Sequence, residues 1–111
     1  MNLSEKSCTS CRADALPLIL SEAELLLQKT PGWQLLGNGA RLERRFVFKN
    51  FAEALVFVNQ VGDVAERQAH HPNISFGWGY ASVLLYTHKI DGLHENDFIM
   101  AARINELYGG D

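Results

Sequence analysis

His70-His71-Pro72, with Glu66 four residues before the first histidine and His88 seventeen after the second, holds the groups best suited to move protons. Three of the chain's four histidines fall in this one stretch. Imidazole is the side chain whose ordinary pKa lies closest to neutrality, so it can give or take a proton at cell pH. Clustered histidines therefore point to acid–base chemistry or to a metal. Glu66 and His70 are spaced to share one face at the end of a helix, where a carboxylate would orient the imidazole and favour its cation.

Other chemistry fits the same residues less directly. Histidines near a helix C-terminus also complement the macrodipole without any catalytic role. A three-histidine zinc site, supported by Glu66 and Asp97, is a sharper alternative. Adjacent histidines diverge, however, whereas metal ligands favour H-x-H or i, i+4 spacing. Nucleophilic catalysis has little support: Cys8 and Cys11 are remote, and no G-x-S-x-G occurs. The two cysteines form a lone C-x-x-C, too few ligands for a zinc knuckle and outside a strand-to-helix context. They read as a reduced, mobile pair, with a site completed by another subunit as the alternative.

The elements that must position these groups follow from periodicity and caps. Residues 1–20 read as an irregular arm, and residues 21–111 as the folded domain. Ser21 with Glu24 matches a capping box, predicting a short helix from Glu22 to Lys29 that ends at Thr30-Pro31-Gly32. Trp33 to Leu36 and Arg41 to Lys49 read as strands joined by the Gly37-Asn38-Gly39 turn. Leu42, Arg44, Phe46 and Phe48 share the core-facing side, with Arg44 the misfit.

Asn50 with Glu53 caps a long helix to Ala69, with Phe51, Leu55, Val58, Val61 and Ala65 as its core stripe. Pro72 cannot continue that helix. Ile74 to His88 is β-rich around a bend at Gly77-Trp78-Gly79, placing His88 at the end of a strand. A last helix runs from Glu95 to Tyr108, buries Phe98, Ile99, Ala102 and Leu107, and stops at Gly109-Gly110. The order α-β-β-α-β-β-α predicts a single α+β domain: one four-stranded antiparallel sheet with helices packed on one face. Exposed strand edges favour a homo-oligomer, dimer or tetramer.

Bulk properties narrow the function. The 111 residues suffice for one domain with its own core. A net charge of −3 gives no electrostatic case for nucleic acid or a membrane surface. No apolar run approaches a membrane span and no signal-peptide core is visible, so the cytoplasm is the default location.

The run Glu66-x-x-x-His70-His71-Pro72, then Trp78, His88 and Asp97, resembles the signature of the pterin-4a-carbinolamine dehydratase family. Thr87-His88, Gly92-Leu93 and Glu95-Asn96-Asp97 extend the likeness, which spans about residues 20 to 108. His94 stands where the family usually has Ser or Thr, at the expected N-cap of the last helix. Ile74 stands where many members have Trp.

The resemblance implies dehydration of 4a-hydroxytetrahydropterin to quinonoid dihydropterin, with no redox cofactor and no required metal. It implies His70 and His88 as acid–base groups, His71 binding or polarising the pterin, and Glu66 tuning His70. Trp78, Thr87 and Asp97 would shape and brace the pterin site. Some members also serve as dimerisation cofactors of a transcription regulator, so a binding module of the same fold is the rival function.

Overall fold

Asn50 opens the helix on which the site depends. Its side chain accepts from the Glu53 N–H at 2.9 Å, and Glu53 Oε1 accepts from the Lys49 N–H at 3.1 Å. The first bond satisfies one of the donors that a helix start leaves orphaned, and the second ties the residue before the cap to the first turn. The computed structural model describes residues 2–10 and 12–109. Its elements are α1 (Leu20–Leu27), β1 (Gln34–Leu36), β2 (Arg41–Val47), α2 (Phe51–Gln68), β3 (Asn73–Gly77), β4 (Tyr80–Leu85) and α3 (Glu95–Tyr108). Short 3-10 turns cover Leu3–Glu5 and His88–Ile90.

The four strands form one antiparallel sheet in the order β1-β2-β4-β3. One face carries Leu42, Phe46, Ala81, Val83 and Leu85, all buried. Helices α2 and α3 cover it: Phe46 meets Phe57 of α2 at 4.7 Å and Tyr108 of α3 at 4.9 Å, ring centre to ring centre. Short α1 packs against α3 and β1. The predicted α+β order and layering are therefore the observed ones.

Arg44 is the misfit on the apolar face of β2, and the fold absorbs it. Its Nη1 donates to the Pro31 carbonyl at 3.1 Å and to Asn105 Oδ1 at 2.8 Å. Its guanidinium lies 4.5 Å from the Phe46 ring centre. Trp33 Nε1 donates to the same Asn105 oxygen at 2.8 Å. Gly32 has φ +88°, and a Cβ there would fall 2.5 Å from Arg44 Cζ, so this turn requires glycine twice over.

Several local expectations shift. Helix α1 starts two residues early, at Leu20, because Glu22 rather than Glu24 reaches back, accepting from the Ile19 N–H at 3.0 Å. Trp33 lies just outside β1. On α2 the buried stripe is Ala54, Phe57, Val61, Val64 and Ala65, whereas Phe51 and Leu55 are 46% and 39% exposed. Apolar residues ring more than half of this helix, so two stripes sharing Val61 and Ala65 have the same period. Periodicity alone cannot set the phase. Phe98 and Ile99 of α3 are buried as expected, joined by Met100, Ala101 and Ile104, while Ala102 and Leu107 are half-buried. Gly109 ends α3 in the left-handed region at φ 107°, and Gly110 lies outside the described residues.

Candidate active site

Helix α2 ends before the histidines rather than through them. Ala69 adopts the left-handed conformation, φ 52° and ψ 39°, and the His70 N–H closes the end by donating to the Ala65 carbonyl at 3.1 Å. This reversal corrects the expected Glu66–His70 pair. Residues four apart meet only while both keep helical geometry, and His70 has left the helix. Glu66 Oε2 instead meets His71 Nε2 at 2.5 Å, with the two side chains 78% and 58% exposed.

His70 takes a different carboxylate. Its Nε2 lies 2.6 Å from Asp97 Oδ1, and Asp97 is fully buried in the first turn of α3. The other oxygen, Oδ2, accepts from Thr87 Oγ1 at 2.8 Å and from the His94 N–H at 3.0 Å. A helix N-terminus favours negative charge, and three hydrogen-bonding partners hold the carboxylate in place. Asp97 is thus the group that fixes the His70 ring. With a carboxylate opposite Nε2, that nitrogen is the one that donates, and Nδ1 is the ring nitrogen outside this bond. His94 caps α3 as expected, its Nδ1 accepting from the Asn96 N–H at 3.0 Å.

His88 is not at a strand end. Strand β4 stops at Leu85, and His88 opens the 3-10 turn that follows. Thr87, which precedes it, is buried and bridged to Gly92 through its N–H, 2.8 Å from the Gly92 carbonyl. The His88 ring stands edge-on to Tyr86 at 4.3 Å. Arg41 covers the Tyr86 ring at 3.7 Å and pairs with Asp91 at 2.7 Å. An aromatic ring therefore packs edge-on against His88, and a guanidinium covers that ring in turn.

His70, His71, His88, Tyr86 and Thr87 line one cleft of about 460 Å³, facing Gln68 and arm residues Cys8, Thr9 and Ser10. That volume falls in the range of small-molecule sites. The chain thus brings together the three histidines and Thr87, with Asp97 directly behind His70. Trp78 is not among them. It sits 73% exposed in the β3–β4 turn, and five residues of β3 span about 17 Å. Within one chain Trp78 lies at the opposite end of the hairpin from the histidines. Among the described residues, no three His, Cys, Asp or Glu side chains are placed to hold a metal ion.

Tyr86, Gln68 and the arm are the parts of the cleft that the sequence reading missed. The arm is seated, not loose. Leu3 is buried in the core, and the Cys8 N–H donates to Gln68 Oε1 at 2.7 Å. Burial pushes the Cys8 thiol up to about 11, with Asp97 adding to the rise and Arg103 opposing it. Cys11 lies outside the described residues. A Cys, a Thr and a Ser in a polar tail carry no periodic signal that places them at a site.

The family model described as "Pterin 4 alpha carbinolamine dehydratase" matches residues 17–107. A Cupriavidus pinatubonensis protein, provisionally named pterin-4-alpha-carbinolamine dehydratase 1, is 56% identical over 97% of this chain and 93% of its own. A similarly named Methylococcus capsulatus protein is 51% identical over 96% and 93%. Among solved structures, a transcriptional coactivator/pterin dehydratase from Brucella melitensis superposes with TM-score 0.79 at 33% identity. That match covers 84% of this chain and 99% of the other. A pterin dehydratase-like protein identified as a RuBisCO assembly factor in the alpha-carboxysome matches at TM-score 0.63 and 28% identity, covering 72% and 93%. On the strength of the family match and of relatives above half identity along nearly the whole chain, the protein belongs to the pterin-4-alpha-carbinolamine dehydratase family, a family of hydro-lyases.

Proposed function

We propose that the chain dehydrates a 4a-hydroxytetrahydropterin to the quinonoid dihydropterin and water. The observation that carries this reading is the buried Asp97–His70 pair opening on a cleft that His88 also lines. The C4a–O bond breaks, the hydroxyl takes a proton and leaves as water, and N5 gives up its proton as the C4a=N5 bond forms. No electrons leave the substrate, so the reaction calls for one proton donor and one acceptor. His70 suits the acceptor role, because Asp97 takes its Nε2–H and leaves the Nδ1 lone pair. His88 suits the donor role.

His71, held by exposed Glu66, suits substrate positioning. Thr87 and Asp97 suit bracing, and Trp78 suits a wall only where another copy carries it to the cleft. Tetrahydropterin recycling in the cytoplasm is the setting we assign. No helix among the described residues is long and apolar enough to cross a membrane. A homodimer or homotetramer is the assembly we assign. It is supported by two open sheet edges, β1 and β3, and by exposed Phe51, Leu55 and Val56 on α2. Sedimentation at micromolar concentration is expected to show an oligomer, and a monomer alone would overturn that assignment.

The direct test is turnover of synthetic 4a-hydroxytetrahydropterin by the purified protein, corrected for the uncatalysed loss of water. A rate well above background supports the reading. A rate equal to background leaves a binding module of the same fold, a role for which the RuBisCO assembly factor is a structural precedent.

A further inference from the structure

Residues 8–10 form a wall of the histidine cleft that the family model does not cover. The model match begins at residue 17, and the Brucella melitensis chain, aligned over 99% of its own length, spans 84% of this one. The wall is anchored on both sides. Leu3 is buried in the core at one end, and at the other the Leu18 N–H donates to the Leu93 carbonyl at 2.8 Å. Between them, Arg103 grips the Lys6 carbonyl through Nη2 at 2.6 Å and Nε at 3.1 Å.

Thr9 is the centre of this strap. Its N–H donates to Asn96 Oδ1 at 3.0 Å, and its carbonyl accepts from Asn96 Nδ2 at 2.7 Å. Asn96 is only 2% exposed, so its amide stands in for the strand partner that the arm lacks. Asn96 and Asp97 are neighbours in the first turn of α3. One holds the arm and the other holds His70, so a single turn sets the spacing between the two walls. Asn96 uses both backbone groups of Thr9, and Thr9 and Ser10, both exposed, line the cleft.

We infer that this strap is a substrate-positioning element, with Thr9 and Ser10 bordering the 2-amino–N3 edge of the pterin; the inference rests on the dehydratase reading. The reacting C4a–N5 edge needs the imidazoles. The 2-amino–N3 edge, across the pyrimidine ring from C4a, needs short groups able to donate and accept hydrogen bonds, and the arm hydroxyls are of that kind. Binding through this edge is equal in ground and transition states, so its loss moves KM rather than kcat.

The test uses full-length variants. Thr9→Pro removes the N–H that Asn96 accepts, and Gln68→Ala removes the acceptor of the Cys8 N–H. Each is expected to raise KM about fivefold or more while kcat stays within about twofold, the signature of lost uniform binding. Asp14→Ala, farther along the arm and exposed, is the control with wild-type constants. Thermal unfolding confirms that the variants fold, and Gln68→Ala carries the test should Thr9→Pro not fold. As a second readout, the Cys8, Thr9 and Ser10 amide resonances of wild type are expected to shift on titration with 7,8-dihydrobiopterin. Wild-type KM in both variants together with unmoved arm amides would overturn the strap and leave the dehydratase reading standing. Wild type without turnover above background would instead remove that reading, and the strap with it.

Discussion

Asp97→Asn isolates the proton arrangement at His70 with little disturbance of the fold. In the native protein Oδ2 takes the Thr87 hydroxyl and the His94 N–H, while Oδ1 takes His70 Nε2. An asparagine placed with its oxygen at the Oδ2 position keeps the first two bonds. Its NH₂ then faces His70 Nε2 as a donor, and the ring must answer with a lone pair there. The proton moves to Nδ1, the nitrogen that should accept from N5. Stability loses only the difference between a charge-assisted and a neutral hydrogen bond, about 1 kcal/mol, or roughly 5 °C in Tm for a domain of this size. Turnover loses far more: kcat should fall about 10²- to 10⁴-fold, the scale of a removed or mis-tautomerised general base. The assay pairs dehydratase kinetics with ¹⁵N spectra of the His70 ring, which report which nitrogen is protonated. An inverted tautomer with kcat within about threefold of wild type would refute the reasoning, because His70 would not be moving the proton.

The other carboxylate gives the contrast. Glu66→Gln removes an exposed partner of His71, and exposed ion pairs contribute about 0–1 kcal/mol, so Tm should hardly move and kcat should fall less than about fivefold. A loss in steady-state kcat as deep as that of Asp97→Asn would reverse the assignment of the two carboxylates. Cys8 supplies a pH signature. With its thiol pushed up to about 11 by burial, alkylation by iodoacetamide at pH 8 should run roughly 100-fold slower than for a free thiol and quicken up to about pH 11. A folded-state pKa above the unfolded one means the associated stability is complete below about pH 8.5 and is lost as pH rises through the folded value. Denaturation midpoints across that window should therefore fall more steeply for wild type than for Cys8→Ala, and equal slopes would contradict the burial.

How far these features were legible in the sequence depends on the range of the interaction behind each. Caps, turns and alternation act over a few residues. The Asn50–Glu53 start of α2, the Gly37-Asn38-Gly39 turn and the two faces of β2 could therefore be read directly, and with them the element order. Arg44 announced itself as a misfit, but its solution needs Asn105 from the last helix, which no local pattern supplies. The phase of the α2 stripe failed because two overlapping apolar faces share one period. At the site, the histidines were visible from type and spacing, but their carboxylate partners were exchanged. Ala69 entering the left-handed region is the cause: a non-glycine residue seldom does so, and nothing before Pro72 signals it. The arm wall was hidden for a further reason. Its contacts with Gln68 and Asn96 reach across 60 and 87 residues, and polar residues outside any periodic run look like a tail.

The central claim is that two histidines brought to one cleft by different elements carry the proton transfers of a dehydration. The most direct test compares wild type, His70→Ala, His88→Ala and the double variant on synthetic 4a-hydroxytetrahydropterin, with the spontaneous rate subtracted. Each single variant should lower kcat about 10²-fold or more. The double variant should approach background while still binding 7,8-dihydrobiopterin. A double variant that kept wild-type turnover would contradict the account, whatever else the cleft binds.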